Sequence, residues 1–291
     1  MRNEEEMLEL ILSKARESEN IRLVEMNGSR VNSQTNKDPF QDYDIVYYVE
    51  DIESFIKDPS WVDYFGERFM MQMPDQMHIP PADKTKQSFS YLMLFKDGNR
   101  IDLTLTPVTL AEQCLKNTEP RKILLDKDNR SKFAPISSDD PFRIKAPTQK
   151  EFCDCSNEFW WVSTYIAKAL WREELPLAKA TMDGPVRDML MMMLNWQIGI
   201  RTGFKVSTGK SGKDIKKYVD EELWRKLVLT YPDGDYNNIW ASLFKMCDLF
   251  EELASQIAQE LKFDLPDYGK NIRSYLKHIE KLPKISNQIF P

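Results

Sequence analysis

Apolar residues follow two different periods along the chain, and the change between them divides the sequence into two parts. In the first part, short apolar runs rich in β-branched and aromatic residues are typical of strands. These predicted strands cover residues 21–26, 43–50, 69–73, 88–95 and 100–106. In the second part, apolar residues recur every three or four positions over long stretches, which predicts helices. The helices are expected at residues 151–174, 184–202, 213–229, 237–261 and 268–279.

The order of these elements predicts an α+β fold in two domains. A mixed sheet with flanking helices is expected at residues 1–140, including an amphipathic helix near the start of the chain, and a helical bundle is expected at residues 141–291. Prolines cluster between the two parts, so we place the hinge within residues 135–147. Asp97-Gly98 suits the positive backbone angles of a tight turn, and the strands on either side are expected to form an antiparallel hairpin.

Composition and charge restrict the possible functions. Hydrophobic residues make up 42% and charged residues 30% of the 291-residue chain, proportions typical of a globular protein. The net charge of −6 argues against an extended nucleic-acid-binding surface, which needs many Lys and Arg residues. No apolar run reaches the length of a membrane span, and the first residues lack the pattern of an export signal, so we expect a cytoplasmic protein. The four cysteines are expected to be reduced thiols.

Three aspartates in two predicted strands are the strongest candidates for catalysis. Asp42 and Asp44 lie two residues apart at the start of one strand, so their side chains should share a face. Asp102 lies in a later strand between Ile101 and Leu103, where a carboxylate is unfavourable unless it faces a site. Carboxylates this close repel each other unless a cation lies between them, and hard oxygen ligands suit Mg²⁺. The pattern predicts that the three aspartates bind Mg²⁺ and catalyse an in-line displacement that releases pyrophosphate.

A glycine-containing turn that precedes these aspartates is a candidate phosphate-binding site. Gly28 follows the first predicted strand and has no side chain to obstruct a triphosphate. Ser29 and the following backbone amides could then bind phosphate oxygens, and Arg30 could add positive charge. Taken singly, Gly28-Ser29 is compatible with an ordinary turn, and Asp42-x-Asp44 with a solvated strand end. Their order along the chain, with a third aspartate in a hairpin strand, favours the catalytic interpretation.

Gly28-Ser29, Asp42-x-Asp44 and Asp102 together resemble the motif of the DNA polymerase β-like nucleotidyltransferase superfamily. Four longer stretches are similar to the aminoglycoside 6-adenylyltransferases, also called streptomycin adenylyltransferases, and the similarity extends over nearly the whole chain. The four stretches are Met-Asn-Gly-Ser-Arg-Val-Asn (26–32), Gln-Asp-Tyr-Asp-Ile-Val-Tyr-Tyr-Val (41–49), Asn-Glu-Phe-Trp-Trp-Val (157–162) and Lys-Ala-Leu-Trp-Arg-Glu-Glu-Leu (168–175). The resemblance implies an N-terminal nucleotidyltransferase domain. It further implies transfer of AMP from ATP to a hydroxyl of streptomycin, with release of pyrophosphate and inactivation of the antibiotic.

A streptomycin acceptor, with its guanidinium groups and amine, would require an acidic pocket with aromatic walls. In the helical part of the chain, the candidates for this substrate-binding role are Glu158, Trp160 and Asp183. The triphosphate also requires cations, and Lys168 and Lys213 are the candidates for nucleotide binding. Asp102 is the leading candidate for the general base, with Glu158 as the second.

Two other functions remain compatible with the sequence. A nucleotidyltransferase of this kind could act on another small alcohol or on a protein side chain. The chain could also be a nucleotide-binding regulator without turnover, although a protein that only binds a nucleotide has no need of three clustered carboxylates. We expect ATP and a cationic aminoglycoside as binding partners, no nucleic acid or membrane, and a monomer or small homo-oligomer.

Overall fold

The computed structural model of the chain describes residues 1–32, 37–83, 85–116, 120–133 and 143–290. The chain divides into two compact units, Met1–Pro141 and Phe142–Pro291. Each unit contains a hydrophobic core of its own. Residues 135–142 of the predicted hinge lie outside the described ranges.

The first unit is built around a mixed sheet. Its strands are β1 (Ile21–Asn27), β2 (Tyr43–Val49), β3 (Arg68–Gln72), β4 (Phe89–Phe95), β5 (Arg100–Pro107) and β6 (Lys122–Asp126). Across the described sheet the strands follow the order β3-β4-β5-β2-β1-β6. The β2–β5 pair is parallel, and the other neighbouring pairs are antiparallel. The helices described in this unit are α1 (Glu4–Glu17), α2 (Glu53–Ile56) and α3 (Ala111–Leu115).

Alternation along the central strands gives the sheet two chemically different faces. One face packs against α1 and buries Tyr43, Ile45 and Tyr47 of β2 together with Ile101 and Leu103 of β5. The opposite face carries the intervening residues, which include an aspartate on each of these two strands. Burial of the apolar face stabilises the unit. The polar face therefore remains available for a functional site.

The predicted β4–β5 hairpin is confirmed. Gly98 has a φ of +86°, the left-handed region that the turn requires, and its amide donates to the backbone oxygen of Phe95 at 3.0 Å. The pairing sets Leu92 of β4 opposite Asp102 of β5. The strand β6 and the helix α3 are not predicted from the sequence, because each has only five residues and no recognisable period.

The second unit is helical, and with the mixed sheet it confirms the predicted α+β fold. Its described helices are α4 (Gln149–Trp171), α5 (Leu175–Thr181), α6 (Arg187–Thr202), α7 (Glu221–Val228), α8 (Tyr236–Leu261) and α9 (Gly269–Lys281). A capping box starts α4, because the side chain of Thr148 accepts from the amide of Glu151 and the Glu151 carboxylate accepts from the amide of Thr148. Stacked rings of Phe159 and Phe250, with centroids 3.7 Å apart, join α4 to α8. None of the helices in the described ranges is long and apolar enough to cross a membrane.

The segment between α6 and α7 differs from its prediction. A continuous helix is predicted at residues 213–229, but Ile215–Lys217 form a separate 3-10 turn and α7 begins only at Glu221. The side chain of Asp220 accepts a hydrogen bond from the amide of Leu223, which is the bond that caps a helix N-terminus. The cap starts a new helix at this point, and the basic residues before it lie in a loop.

Candidate active site

Residues predicted to act in catalysis lie side by side on neighbouring strands, in a row that runs across the sheet through Asn27, Asp44 and Asp102. Asn27 of β1 pairs with Asp44 of β2, and Asp44 pairs with Asp102 of β5. Directly paired residues on neighbouring strands project their side chains from the same face, so the carboxylates of Asp44 and Asp102 are neighbours. Asp42 lies just before β2, two residues from Asp44. The three predicted aspartates therefore gather at one place on the polar face of the sheet.

Gly28 lies against this row. It has a φ of +74° and opens a 3-10 turn, Gly28–Arg30, directly after β1. A Cβ atom at Gly28 would lie 1.9 Å from Oδ2 of Asp44 and 2.7 Å from its Cγ. Glycine is therefore required here for two reasons, the backbone angle and the close approach of a carboxylate. The turn brings the backbone of Gly28 and Ser29 beside Asp44, where it can contact a ligand held by the aspartates.

An arginine neutralises part of the aspartate cluster. Arg100 donates from Nε and Nη2 to the two carboxylate oxygens of Asp102, each at 2.7 Å. Its Nε also lies 3.5 Å from Oδ2 of Asp42. Arg100 and Asp102 are two residues apart on β5, so alternation places both side chains on one face. This residue is not predicted from the sequence, although the Arg-x-Asp spacing is the signal that could reveal it.

Electrostatics indicate that the three carboxylates repel one another. Burial, followed by the charges of Asp102 and Asp42, raises the pKa of Asp44 to about 6. Burial also raises the pKa of Asp42, although the nearby charge of Arg100 acts in the opposite direction. A cation placed among the carboxylates would relieve this repulsion. Oxygen donors of this kind fit Mg²⁺ by their chemistry.

The aspartates fit a divalent cation in donor type but are not arranged as a preformed metal site. Among the described residues, no group of three His, Cys, Asp or Glu side chains has the arrangement of a metal site. Both oxygens of Asp102 are engaged by the guanidinium of Arg100. A metal ion that used the oxygens of Asp102 would therefore compete with Arg100 for their negative charge.

Arg30, predicted to contact phosphate, is engaged by the protein itself. Its Nε donates to the backbone oxygen of Asp42 at 3.0 Å, and its Nη2 donates to that of Gln41 at 2.9 Å. The guanidinium also stacks on the ring of Tyr43, 3.8 Å from the centroid. Arg30 thus holds the segment that carries Asp42, and its contact with a phosphate stays a prediction.

The two lysines predicted to bind the nucleotide are exposed in the second unit. Lys168 lies on α4 with its Nζ 4.8 Å from the centroid of the Tyr165 ring. It lines a cavity of about 190 Å³ together with Trp171 and Arg172. Lys213 lies in the basic loop before α7. Both ammonium groups are accessible to an anion, and their role in nucleotide binding stays a prediction.

Trp160, predicted to bind the acceptor, is a core residue instead. Only 4% of Trp160 is exposed, and its ring packs edge-on against Phe159 and Phe250. The exposed indole belongs to Trp161, which is 60% exposed and donates from Nε1 to the hydroxyl of Tyr165 at 2.7 Å. Successive residues on a helix point about 100° apart, so one of two adjacent tryptophans faces the core and the other faces solvent.

Glu158 and Asp183, also predicted to bind the acceptor, differ in their ion pairing. Asp183 accepts from Lys179 at 2.9 Å and from Arg187 at 3.3 Å. Glu158 is exposed on α4, one turn before Trp161. Because its neighbours partly neutralise Asp183, Glu158 is the stronger candidate for binding a cation. Both assignments stay predictions.

Two comparisons with known proteins, by family model and by sequence, indicate the same family. A family model described as streptomycin adenylyltransferase matches residues 1–279. The chain is 42% identical over 276 residues to an aminoglycoside 6-adenylyltransferase of Campylobacter jejuni, and the aligned region covers 95% of each protein. It is 41% identical over 280 residues to a Bacillus subtilis (strain 168) protein of the same name, with 96% of this chain and 98% of the relative covered.

One solved structure is similar to the chain in sequence. The crystal structure of an aminoglycoside 6-adenyltransferase from Bacillus subtilis is 38% identical to the chain, with 97% of this chain and 100% of that chain covered and a TM-score of 0.49. The match of the family model over most of the chain and the identity of the near full-length relatives are the findings that decide membership. The chain therefore belongs to the streptomycin adenylyltransferase family and is an adenylyltransferase.

Proposed function

We propose that the protein transfers AMP from ATP to a hydroxyl of streptomycin or a closely similar cationic aminoglycoside, releasing pyrophosphate. The observation that carries the proposal is the row in which Asp44 and Asp102 meet on one face of the sheet, with Asp42 beside it and Gly28 against Asp44. The names of the full-length relatives support an aminoglycoside as the acceptor.

The residues at the row would act on both the triphosphate and the attacking hydroxyl. The backbone at Gly28 and Ser29 binds and orients the triphosphate. Asp42, Asp44 and Asp102 would hold Mg²⁺, which neutralises phosphate charge and lowers the pKa of the attacking hydroxyl. Asp102 accepts the proton of that hydroxyl while the hydroxyl oxygen forms its bond to the α-phosphorus. The bond from the α-phosphorus to the bridging oxygen breaks on the opposite side, and pyrophosphate leaves.

Charged residues of the second unit are proposed for binding on the basis of their chemistry. Lys168 and Lys213 suit the negative charge of the triphosphate, since both are exposed cations. Glu158 and Asp183 suit the guanidinium groups of the acceptor. Glu158 is also the second candidate for the general base, because it is an exposed carboxylate.

The proposal is tested with the full chain, ATP, Mg²⁺ and streptomycin. We expect pyrophosphate release that depends on the antibiotic, and a product whose mass has increased by one AMP group. An uncharged cyclitol in place of streptomycin is the control and should react far more slowly, because it lacks the guanidinium groups that Glu158 and Asp183 are proposed to bind. Pyrophosphate release that is equally fast without any acceptor, or no modified product from any aminoglycoside, would contradict the proposal.

Replacing Arg100 by Gln is expected to strengthen Mg²⁺ binding. Arg100 competes for the oxygens of Asp102, so its removal should lower the dissociation constant for Mg²⁺ about 3- to 5-fold, as for loss of one partly exposed ion pair. Without Mg²⁺ the same variant should unfold at a lower temperature, because the aspartates lose their counter-charge. Titration calorimetry with Mg²⁺ and thermal unfolding measure the two effects.

A matched control for Arg100→Gln is available on the same hairpin. Lys96 forms an exposed ion pair with Glu67 and lies away from the aspartates. Lys96→Gln should leave Mg²⁺ binding unchanged. Weaker Mg²⁺ binding in Arg100→Gln would indicate that the arginine assists the metal and does not compete with it.

A further inference from the structure

A cavity of about 510 Å³ opens on the polar face of the sheet in the first unit. Residues of the three central strands, Glu25, Val46, Tyr48 and Thr106, line it, and Gln113 of α3 lines one side. We refer to it as the sheet cavity. Its volume lies within the range of about 300–1,000 Å³ that is typical of small-molecule pockets. The catalytic residues proposed above are not among those that line it.

The sheet cavity adjoins the row of aspartates. Val46 follows Asp44 by two residues on β2, and Thr106 follows Asp102 by four on β5. Asn27 of the row itself lines the cavity. Residues two apart on a strand share a face and lie about 7 Å apart, so the cavity reaches from the row to about 13 Å beyond the carboxylates, at Thr106. A molecule that presents one hydroxyl to Asp44 and Asp102 can therefore place its adjoining part in the cavity.

The cavity and the phosphate-binding turn lie on opposite sides of the row. Along β1, Asn27 belongs to the row, Gly28 follows it, and Glu25 of the cavity precedes it. In an in-line displacement the attacking oxygen and the leaving pyrophosphate are on opposite sides of the phosphorus. With the triphosphate at the Gly28 turn, the acceptor approaches from the side of the sheet cavity.

A buried ion pair forms part of the cavity wall. Glu25 is 3% exposed. Its carboxylate accepts from the Tyr48 hydroxyl at 3.1 Å and from Nη1 of Arg121 at 3.2 Å. Such a pair adds little net stability, because the loss of hydration offsets the attraction between the charges. Its position at a cavity indicates a role in binding.

The other polar groups of the cavity suit a ligand with hydroxyl groups. Among the residues that the structure describes, the side chains of Gln87, Thr106 and Gln113 make no hydrogen bond to the protein. Arg121 balances the charge of Glu25, so these two charged lining residues leave the cavity neutral. Amides and hydroxyls both donate and accept, as do the hydroxyls of a sugar or cyclitol. The neutral wall favours such a ring over a guanidinium group.

We propose that the sheet cavity binds a polyhydroxylated ring of the acceptor, adjacent to the hydroxyl that receives AMP. The inference rests on the proposed function, since it takes the aspartate row as the site of transfer. Thr106 and Gln113 bind ring hydroxyls, and the pair of Glu25 with Arg121 fixes the shape of the wall. The ribose of the nucleotide has the same hydroxyl chemistry, so the test must separate the two ligands.

The test compares two cavity variants of the full chain by titration calorimetry. Thr106→Val and Gln113→Ala are titrated with streptomycin and, separately, with an ATP analogue that cannot be cleaved. Each variant should raise the dissociation constant for streptomycin about 3- to 10-fold, the effect of one lost hydrogen bond. The dissociation constant for the ATP analogue should stay unchanged.

Two matched controls lie outside the cavity. Thr109→Val makes the same substitution at an exposed threonine that does not line the cavity, and Glu112→Gln changes the residue before Gln113 on α3. Both should bind streptomycin as the wild type does. Gln113 is exposed at its helix surface, so Gln113→Ala keeps the test valid even if Thr106→Val does not fold.

The outcomes separate this inference from the proposed function. Weaker binding of the ATP analogue with unchanged streptomycin binding would assign the cavity to the ribose and overturn the inference. Unchanged binding of both ligands in folded variants would exclude the cavity as a subsite, even if the wild type transfers AMP to streptomycin. Failure of the wild type to bind or modify any aminoglycoside would overturn both proposals.

Discussion

Asp44→Asn is expected to abolish AMP transfer and at the same time to stabilise the folded protein at pH 8. Transfer should fall by a factor on the order of 1000, because the variant loses a negative oxygen where the proposed Mg²⁺ and the phosphate meet. The stability gain follows from the pKa of Asp44, which burial and the charges of Asp102 and Asp42 raise to about 6. The ionised form is therefore unfavourable in the folded protein.

The direction of the pH dependence follows from that raised pKa. The folded protein binds the proton of Asp44 more tightly than the unfolded chain does, so the resulting stability is present at low pH. It is lost as the pH rises from about 4 to about 6. Asparagine resembles the protonated carboxyl and avoids this loss. A tenfold change in proton affinity corresponds to about 1.4 kcal/mol, and partial exposure reduces the expected gain to on the order of 1–2 kcal/mol above pH 6.

Thermal unfolding of wild type and Asp44→Asn between pH 4 and pH 8, without Mg²⁺, measures this difference. It should be small at pH 4 and reach a few degrees at pH 8. Asp97→Asn is the control of opposite sign, since hydrogen bonds from Arg2 lower the pKa of Asp97. That variant should be less stable than wild type and keep its transfer activity. An Asp44→Asn protein that is less stable at pH 8 would show that the carboxylates do not repel each other.

Gly28→Ala is expected to reduce AMP transfer about 100-fold, the effect of a displacement of about 1 Å at a reacting centre. The added Cβ would lie 1.9 Å from Oδ2 of Asp44, so the carboxylate must move away from its place beside Asp102. The positive φ of Gly28 adds strain of about 1–2 kcal/mol for alanine. Initial rates of pyrophosphate release and the unfolding temperature measure the two effects separately.

Gly98→Ala is the control that separates the effect of backbone strain from the effect of displacing the Asp44 carboxylate. Gly98 also has a positive φ, +86°, but a Cβ there would meet nothing within 4 Å. This variant should lose stability to a similar extent and retain most of its transfer activity. Equal loss of activity in both variants would mean that backbone strain, and not the position of Asp44, accounts for the effect.

The sequence predicts the sheet and its aspartates well because local pattern determines both. Tyr43, Ile45 and Tyr47 alternate with polar positions along β2, and the alternation alone assigns Asp44 to the face opposite the core. Gly98 likewise indicates its hairpin by local turn chemistry. The fold class and the longer strands and helices follow from such short-range signals, whereas the five-residue elements β6 and α3 do not.

Features that depend on which strands pair, or on which side of a helix faces the core, are harder to predict. The parallel register that sets Asp44 opposite Asp102 joins segments separated by more than fifty residues, and no local pattern encodes it. The contact of Arg100 with Asp42 is hidden for the same reason, since it exists only after β2 and β5 pair, whereas its ion pair with Asp102 lies within one strand. Trp160 and Trp161 are chemically identical neighbours, and only the packing of α4 against α8 decides which is buried.

The parallel β2–β5 register also makes the site sensitive to changes in strand length. A single residue inserted near the middle of either strand would reverse the facing of every position beyond it. An acidic side chain would then enter the apolar core, and an aromatic or aliphatic one would take its place in the row of aspartates. Small insertions in these two strands should therefore eliminate folding and AMP transfer together, whereas single substitutions on the polar face can remove activity and leave the fold intact.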